Sequence, residues 1–145
     1  TKELLDYKVD IAFISGIPKS GDLMILNKID EDIVIVEAEN ANPPNVFLSF
    51  KKGCAYNEFG QNYLKNILQE DFKTLEFGNY EIILGCVKAG MGKSILPMSI
   101  VKKHKYENDL KITALPKELA NMPTCLVCRK DNMPKIEGYL KDYIF

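Results

Sequence analysis

Tryptophan is absent from this 145-residue chain, and histidine and arginine each occur once, as His104 and Arg129. Each scarcity excludes something. With a single guanidinium there is little of the bidentate chemistry that reads phosphates and base edges. A net charge of -1 leaves no broad basic face. Nucleic-acid binding by these residues themselves is therefore not expected. His104 lies in the basic run 102–105, where no Ser-His-Asp set can be built around it. No paired carboxylates stand at strand ends in an acid/base arrangement, so no catalytic residues are assigned and an enzyme is not expected. No apolar window approaches the ~20 residues of a membrane span. No secretion leader opens the sequence, so no membrane partner is expected and a cytoplasmic location is.

What remains is apolar enough to fold. Hydrophobic residues make up 46% of the chain, enough for one domain or two small lobes. The four cysteines, Cys54, Cys86, Cys125 and Cys128, are even in number, so disulfides must be weighed. Cys125 and Cys128 fall in an apolar run that reads as a strand, where residues three apart face opposite ways and cannot share a ligand. There is no second C-x-x-C and no nearby histidine. Buried free thiols are expected, with no metal and no cofactor.

The stretch from Cys86 to Pro97, CVKAGMGKSILP, contains a GKS triplet that suggests a phosphate loop. A Walker loop requires a further glycine where Val87 stands, and it runs from strand to loop to helix. Here the order is reversed. Tyr80, Ile83, Cys86 and Val87 recur at helical spacing, and Pro97 follows Ser94 too closely for a helix to begin there. Helix, Gly-x-Gly turn and strand are predicted. Lys51, Lys52, Lys93 and Ser94 are expected at the surface.

Along the chain, Leu4 to Tyr7 predicts a short helix or turn, and Val9 to Ile14 a buried parallel strand. The run Leu23–Ile29 alternates weakly, and strands are predicted over Ile33–Val36, Val46–Phe50, Thr74–Phe77, Lys111–Leu115 and Thr124–Cys128. A helix with Phe59, Tyr63, Ile67 and Leu68 on one face follows Gly53. A last helix begins near Met133-Pro134. The alternation in the middle of the chain predicts an α/β lobe.

The motifs VDIAF, GCAY, LEFGN, V-x-A-G-M-G-x-S-I-L-P and LVCRKD occur in an order that resembles the effector-binding domain of LysR-type transcriptional regulators, along essentially the whole chain. That resemblance implies an α/β, periplasmic-binding-protein-like (type II) fold of two lobes joined by two crossing strands near Ile33–Ala38 and within Lys111–Cys128. Residues 1–36 and 119–145 would form a partial first lobe, and 37–118 the second. It also implies a small-molecule effector in the inter-lobe cleft, and a homodimer or tetramer in the full-length protein. DNA would be read only by a helix-turn-helix domain that this chain lacks, which makes it look like an amino-terminally truncated fragment. A solute-binding protein of the same architecture is the alternative.

In open α/β sheets, ligands sit where strands end and helices begin. Ser15 and Gly16 follow the first strand, Gly53, Cys54, Ala55 and Tyr56 follow Val46–Phe50, and Gly78 and Asn79 follow Thr74–Phe77. The resemblance adds Thr1 and Lys2, where the family places a polar pocket residue. Helix starts led by small residues suit a carboxylate or other small anion. The same glycines also suit plain helix caps, and Tyr56 plain core packing.

Overall fold

The structure, a computed structural model, describes residues 1–39 and 42–133. Its elements run α1 (Lys2–Leu5), β1 (Ile11–Ser15), β2 (Leu23–Ile29), β3 (Ile33–Ala38), β4 (Val46–Phe50) and α2 (Ala55–Asn62). A π-helical turn (Tyr63–Ile67), β5 (Lys73–Phe77), α3 (Tyr80–Lys88), β6 (Ser94–Pro97), α4 (Met98–Lys103), β7 (Leu110–Ala114) and β8 (Thr124–Arg129) follow. The helix predicted from Met133-Pro134 onward lies outside the described residues.

Two compact units divide the chain at Glu31/Asp32 and at Ala120/Asn121. In the first, β8 is the centre of an antiparallel sheet ordered β1-β8-β2. Leu4, Leu23, Cys125 and Val127 form its buried cluster, with Ala12 and Ile14 packed against them. The apolar run 9–14 was expected to be a buried parallel strand. Instead β1 pairs antiparallel with β8, and Phe13 is 66% exposed. A compact apolar run does not declare its partners, and here β8 takes the central place.

In the second unit, β3 pairs antiparallel with β6 on one side and β7 on the other, while β4 and β5 are parallel. Lys93 joins the two groups. Its N–H donates to Val46 O at 2.9 Å and its carbonyl accepts from Leu48 N at 2.8 Å. Val34, Val36, Leu48 and Leu96 from the strands pack with Ile83, Leu84 and Val87 of α3, as the helical spacing before the glycines predicts. Gly90 turns the chain with φ 76° after that helix. On α2, Gly60 admits the Phe47 ring, since a Cβ there would lie 2.3 Å from Phe47 Cζ.

The helix after Gly53 buries only the first part of the predicted face, Tyr63 and partly Phe59. Tyr56, Asn57 and Gly60 are buried on α2, and Tyr63 and Leu64 on the π-helical turn, whereas Ile67 and Leu68 are 47% and 41% exposed. A π-helical turn has more residues per turn than the 3.6 on which the spacing was counted, so later positions rotate outward.

All four cysteines are free thiols, Cys125 and Cys128 buried and Cys54 and Cys86 partly so. Burial raises the pKa of both Cys125 and Cys128. Thiols with a raised folded pKa hold their protons where unfolded ones lose them, so stability is full below the unfolded value and declines as pH rises above about 8.5. Iodoacetamide at neutral pH should therefore modify Cys54 and Cys86 well before Cys125 and Cys128, and the urea midpoint should fall between pH 8 and 10. Equal labelling of all four, read by peptide mass spectrometry, would contradict the burial. No helix among the described residues is long and apolar enough to cross a membrane.

Candidate ligand site

The parallel pair β4 and β5 delivers two helix starts side by side. Lys51 N donates to Phe77 O at 2.9 Å just past the strand ends, and the Phe50 and Tyr80 rings stack with centroids 4.7 Å apart. Cys54 Sγ lies 3.6 Å from Tyr80 Oη, tying the first residue before α2 to the first residue of α3. Burial, with the Cys54 contact second, holds the Tyr80 hydroxyl well above the usual phenol range, so it stays protonated and able to donate. Asn57, buried in the first turn of α2, donates to Phe50 O at 2.6 Å and to Glu76 Oε1 at 3.0 Å. Gly53, Cys54, Ala55, Tyr56, Gly78 and Asn79 are thus brought together.

The two helix starts differ in what they offer. Asn79 is exposed, and its side-chain oxygen accepts from Glu81 N at 2.7 Å and from Ile82 N at 3.4 Å. Glu81 stands in the first turn of α3 and Glu58 in that of α2, so both carry a negative charge there, and of the two only α3 has a side-chain cap. Its start therefore serves as a cap. At α2, Cys54 occupies the cap position in extended conformation and makes no side-chain cap hydrogen bond. Gly53 precedes it with φ 92° and open space where a side chain would stand. The positive end of α2 is reached over a glycine, beside the exposed Lys51 and Lys52. Tyr56 is 6% exposed and contributes mainly to the core.

The remaining predicted residues lie in the other unit. Ser15 closes β1 opposite Thr124, and Gly16, with φ 81°, donates its N–H to Pro123 O at 2.7 Å. Thr1 precedes the four-residue α1 without a side-chain cap hydrogen bond, and Lys2 opens it; both are exposed. Among the described residues no group of three or more His, Cys, Asp or Glu could hold a metal ion.

Three residues escaped the sequence reading. Tyr80 and Asn57 knit the site together, yet each looks like an ordinary helix residue. Lys93 was expected at the surface with Ser94. Instead Ser94 is 2% exposed, and the Lys93 side chain, 13% exposed, pairs with Glu70 at 2.6 Å. The cause is the sheet, since Lys93 is held between β4 and β6 by its own backbone.

The α/β architecture and its strand-end site define a periplasmic-binding-protein-like effector-binding fold. The family model of the LysR substrate binding domain matches residues 1–137, and the chain belongs to that family. Among its relatives, the HTH-type transcriptional regulator GltR of Bacillus subtilis is 33% identical over 94% of this chain and 50% of its own length. The uncharacterized regulator YusT of the same species is 33% identical over 90% of this chain and 46% of its own. The chain thus spans about half the length of the curated relatives it matches. Among solved structures, the Synechocystis CcmR regulatory domain in complex with 2-PG superposes with a TM-score of 0.76 at 17% identity, covering 99% of this chain and 77% of that one. The effector binding domain of QuiR in complex with shikimate gives 0.65 at 17% identity, over 90% and 66%.

Proposed function

We propose that this chain is the effector-sensing part of a LysR-type transcriptional regulator and that its effector is a small anionic metabolite. Binding rather than catalysis is its role. DNA reading and assembly into a homodimer or tetramer belong to the whole regulator, working in the cytoplasm. The observation that carries the anionic reading is the unequal pair of helix starts. Asn79 already satisfies α3, whereas α2 begins without a side-chain cap behind an open Gly53. A carboxylate or phosphate oxygen there gains the positive end of the helix dipole. The Tyr80 hydroxyl stands beside it at Cys54, and Lys51 and Lys52 attract the anion from solution. The two neighbours solved with small ligands support a ligand-binding role of this kind.

The reading makes an opposed pair of expectations for Cys54→Asp. A carboxylate at that cap position supplies the missing side-chain acceptor and should stabilise the fold by about 1 kcal/mol. It also fills the anion's place, so calorimetric affinity for small carboxylates and phosphates should fall by about tenfold or more, equivalent to ~1.4 kcal/mol. A panel in which only neutral or cationic compounds bind would sink the anionic assignment.

A further inference from the structure

We propose that the second unit carries another small-molecule site, separate from the start of α2, that takes an aliphatic α-amino acid as its zwitterion. A cavity of about 430 Å³ lies against β3 and β7, within the ~300–1,000 Å³ range of small-molecule sites. Ile35, Tyr63 and Leu68 give it apolar walls, and Lys93, Glu70 and Glu37 give it charge.

The charges are held from both sides. Lys93 is fixed by its backbone hydrogen bonds to Val46 and Leu48. Glu70 follows Gln69, which takes the left-handed φ of 55°, and its N–H donates to Leu64 O at 3.0 Å. The Lys93 ammonium and Glu70 carboxylate, 13% and 28% exposed, meet at 2.6 Å. Glu37, 22% exposed, faces the same cavity, and its lysine partner Lys111 is 60% exposed and reaches only to 3.5 Å.

This set of groups selects for a pair of opposite charges. Two carboxylates against one ammonium repel a lone anion. A lone cation can meet Glu37 but leaves Lys93 without a second acceptor. An ammonium has three N–H donors, and Lys93 commits one to Glu70. A ligand carboxylate can join Glu70 on Lys93, while the ligand's amino group takes the place of Lys111 at Glu37. An aliphatic side chain then covers Ile35, Tyr63 and Leu68. Leaving either ligand charge unpaired in such a cavity is unfavourable, so both are required.

Isothermal titration of the intact chain with L-leucine, L-leucinamide and 4-methylpentanoate tests this directly, because the last two keep the side chain and one charge each. Leucine should bind at least tenfold more tightly than either. Glu37→Gln should weaken leucine at least tenfold, and so should the double variant Lys93→Met with Glu70→Gln, which removes the pair without stranding a charge. Circular dichroism establishes that each variant is folded, and Glu37→Gln alone decides the matter if the double variant is not. Cys54→Asp should leave leucine binding unchanged, which separates this site from the one at α2. Absence of leucine binding, equal binding of the three compounds, or indifference to Glu37→Gln overturns the proposal and leaves anion binding at α2 untouched.

Discussion

Gly92→Ala should lower the thermal midpoint by about 10 °C. A Cβ at Gly92 would lie 2.3 Å from Val46 O and 3.0 Å from Val46 Cβ. The obstacle is backbone, so no rotamer change relieves it. Moving the chain away breaks the hydrogen bond from Lys93 N to that same carbonyl. Overpacking of this kind costs about 3 kcal/mol, and in a domain of this size each kcal/mol is worth ~3 to 4 °C. Two other glycines calibrate the effect. Gly53→Ala meets nothing within 4 Å but must keep φ 92°, which costs about 1 to 2 kcal/mol. Gly78→Ala meets neither obstacle and should stay within ~0.5 kcal/mol of the parent. Scanning calorimetry of the three variants should rank them in that order. If Gly92→Ala proves as mild as Gly78→Ala, the close approach is wrong.

Arg129→Met should destabilise the first unit by about 3 kcal/mol and free the segment before β1. The only arginine is 8% exposed at the end of β8. Its Nη1 donates to Leu4 O at 2.8 Å and to Val9 O at 3.1 Å, and its Nε to Asp131 Oδ1 at 3.2 Å. The Tyr7 ring lies over the guanidinium at 4.1 Å. Hydrogen bonds from a charged donor contribute ~1.5 to 3 kcal/mol each, and cation–π contact up to ~1 at an exposed ring. The carboxylates count for less, since Asp10 and Asp131 are 77% and 58% exposed and well screened. Arg129→Lys keeps the charge but not the fork, and should recover less than half of the loss. Urea unfolding measures the difference, and limited proteolysis should cut near Tyr7 in the methionine variant first. A variant that unfolds like the parent and resists cleavage would show that Arg129 holds nothing.

What the sequence made legible was local. Asn79 before an amphipathic stretch announced the start of α3, and the glycines after Lys88 announced its end, because caps and turns depend on residues a few positions apart. The α/β lobe read from the alternation of strands and helices is the one in which β4 and β5 pair in parallel. Partners distant in the chain were not legible. Nothing in VDIAFIS distinguishes an edge strand from a buried one, since that depends on β8 more than a hundred residues later. Lys93 looked like a surface residue because Glu70, its partner, is set by a π-helical turn that no regular periodicity signals. At the start of α2 the sequence marked backbone positions that the fold brings together with Gly78 and Asn79, but it was silent on which helix start was already capped. That difference lies in the orientation of one amide side chain, Asn79.

The seam at Lys93 has a mechanical consequence. Between β3 and its two neighbours the sheet is stitched along whole ladders, but between β4 and β6 it is stitched at one residue. Across that line cohesion comes from side chains, with Leu48, Val34 and Leu96 packed in one cluster with Ile83, Leu84 and Val87 of α3. The leaf formed by β4 and β5 is therefore joined to the other strands more by side chains than by amides, and both helix starts ride on it. A force applied at its tip can displace them together as one piece, with their mutual spacing preserved.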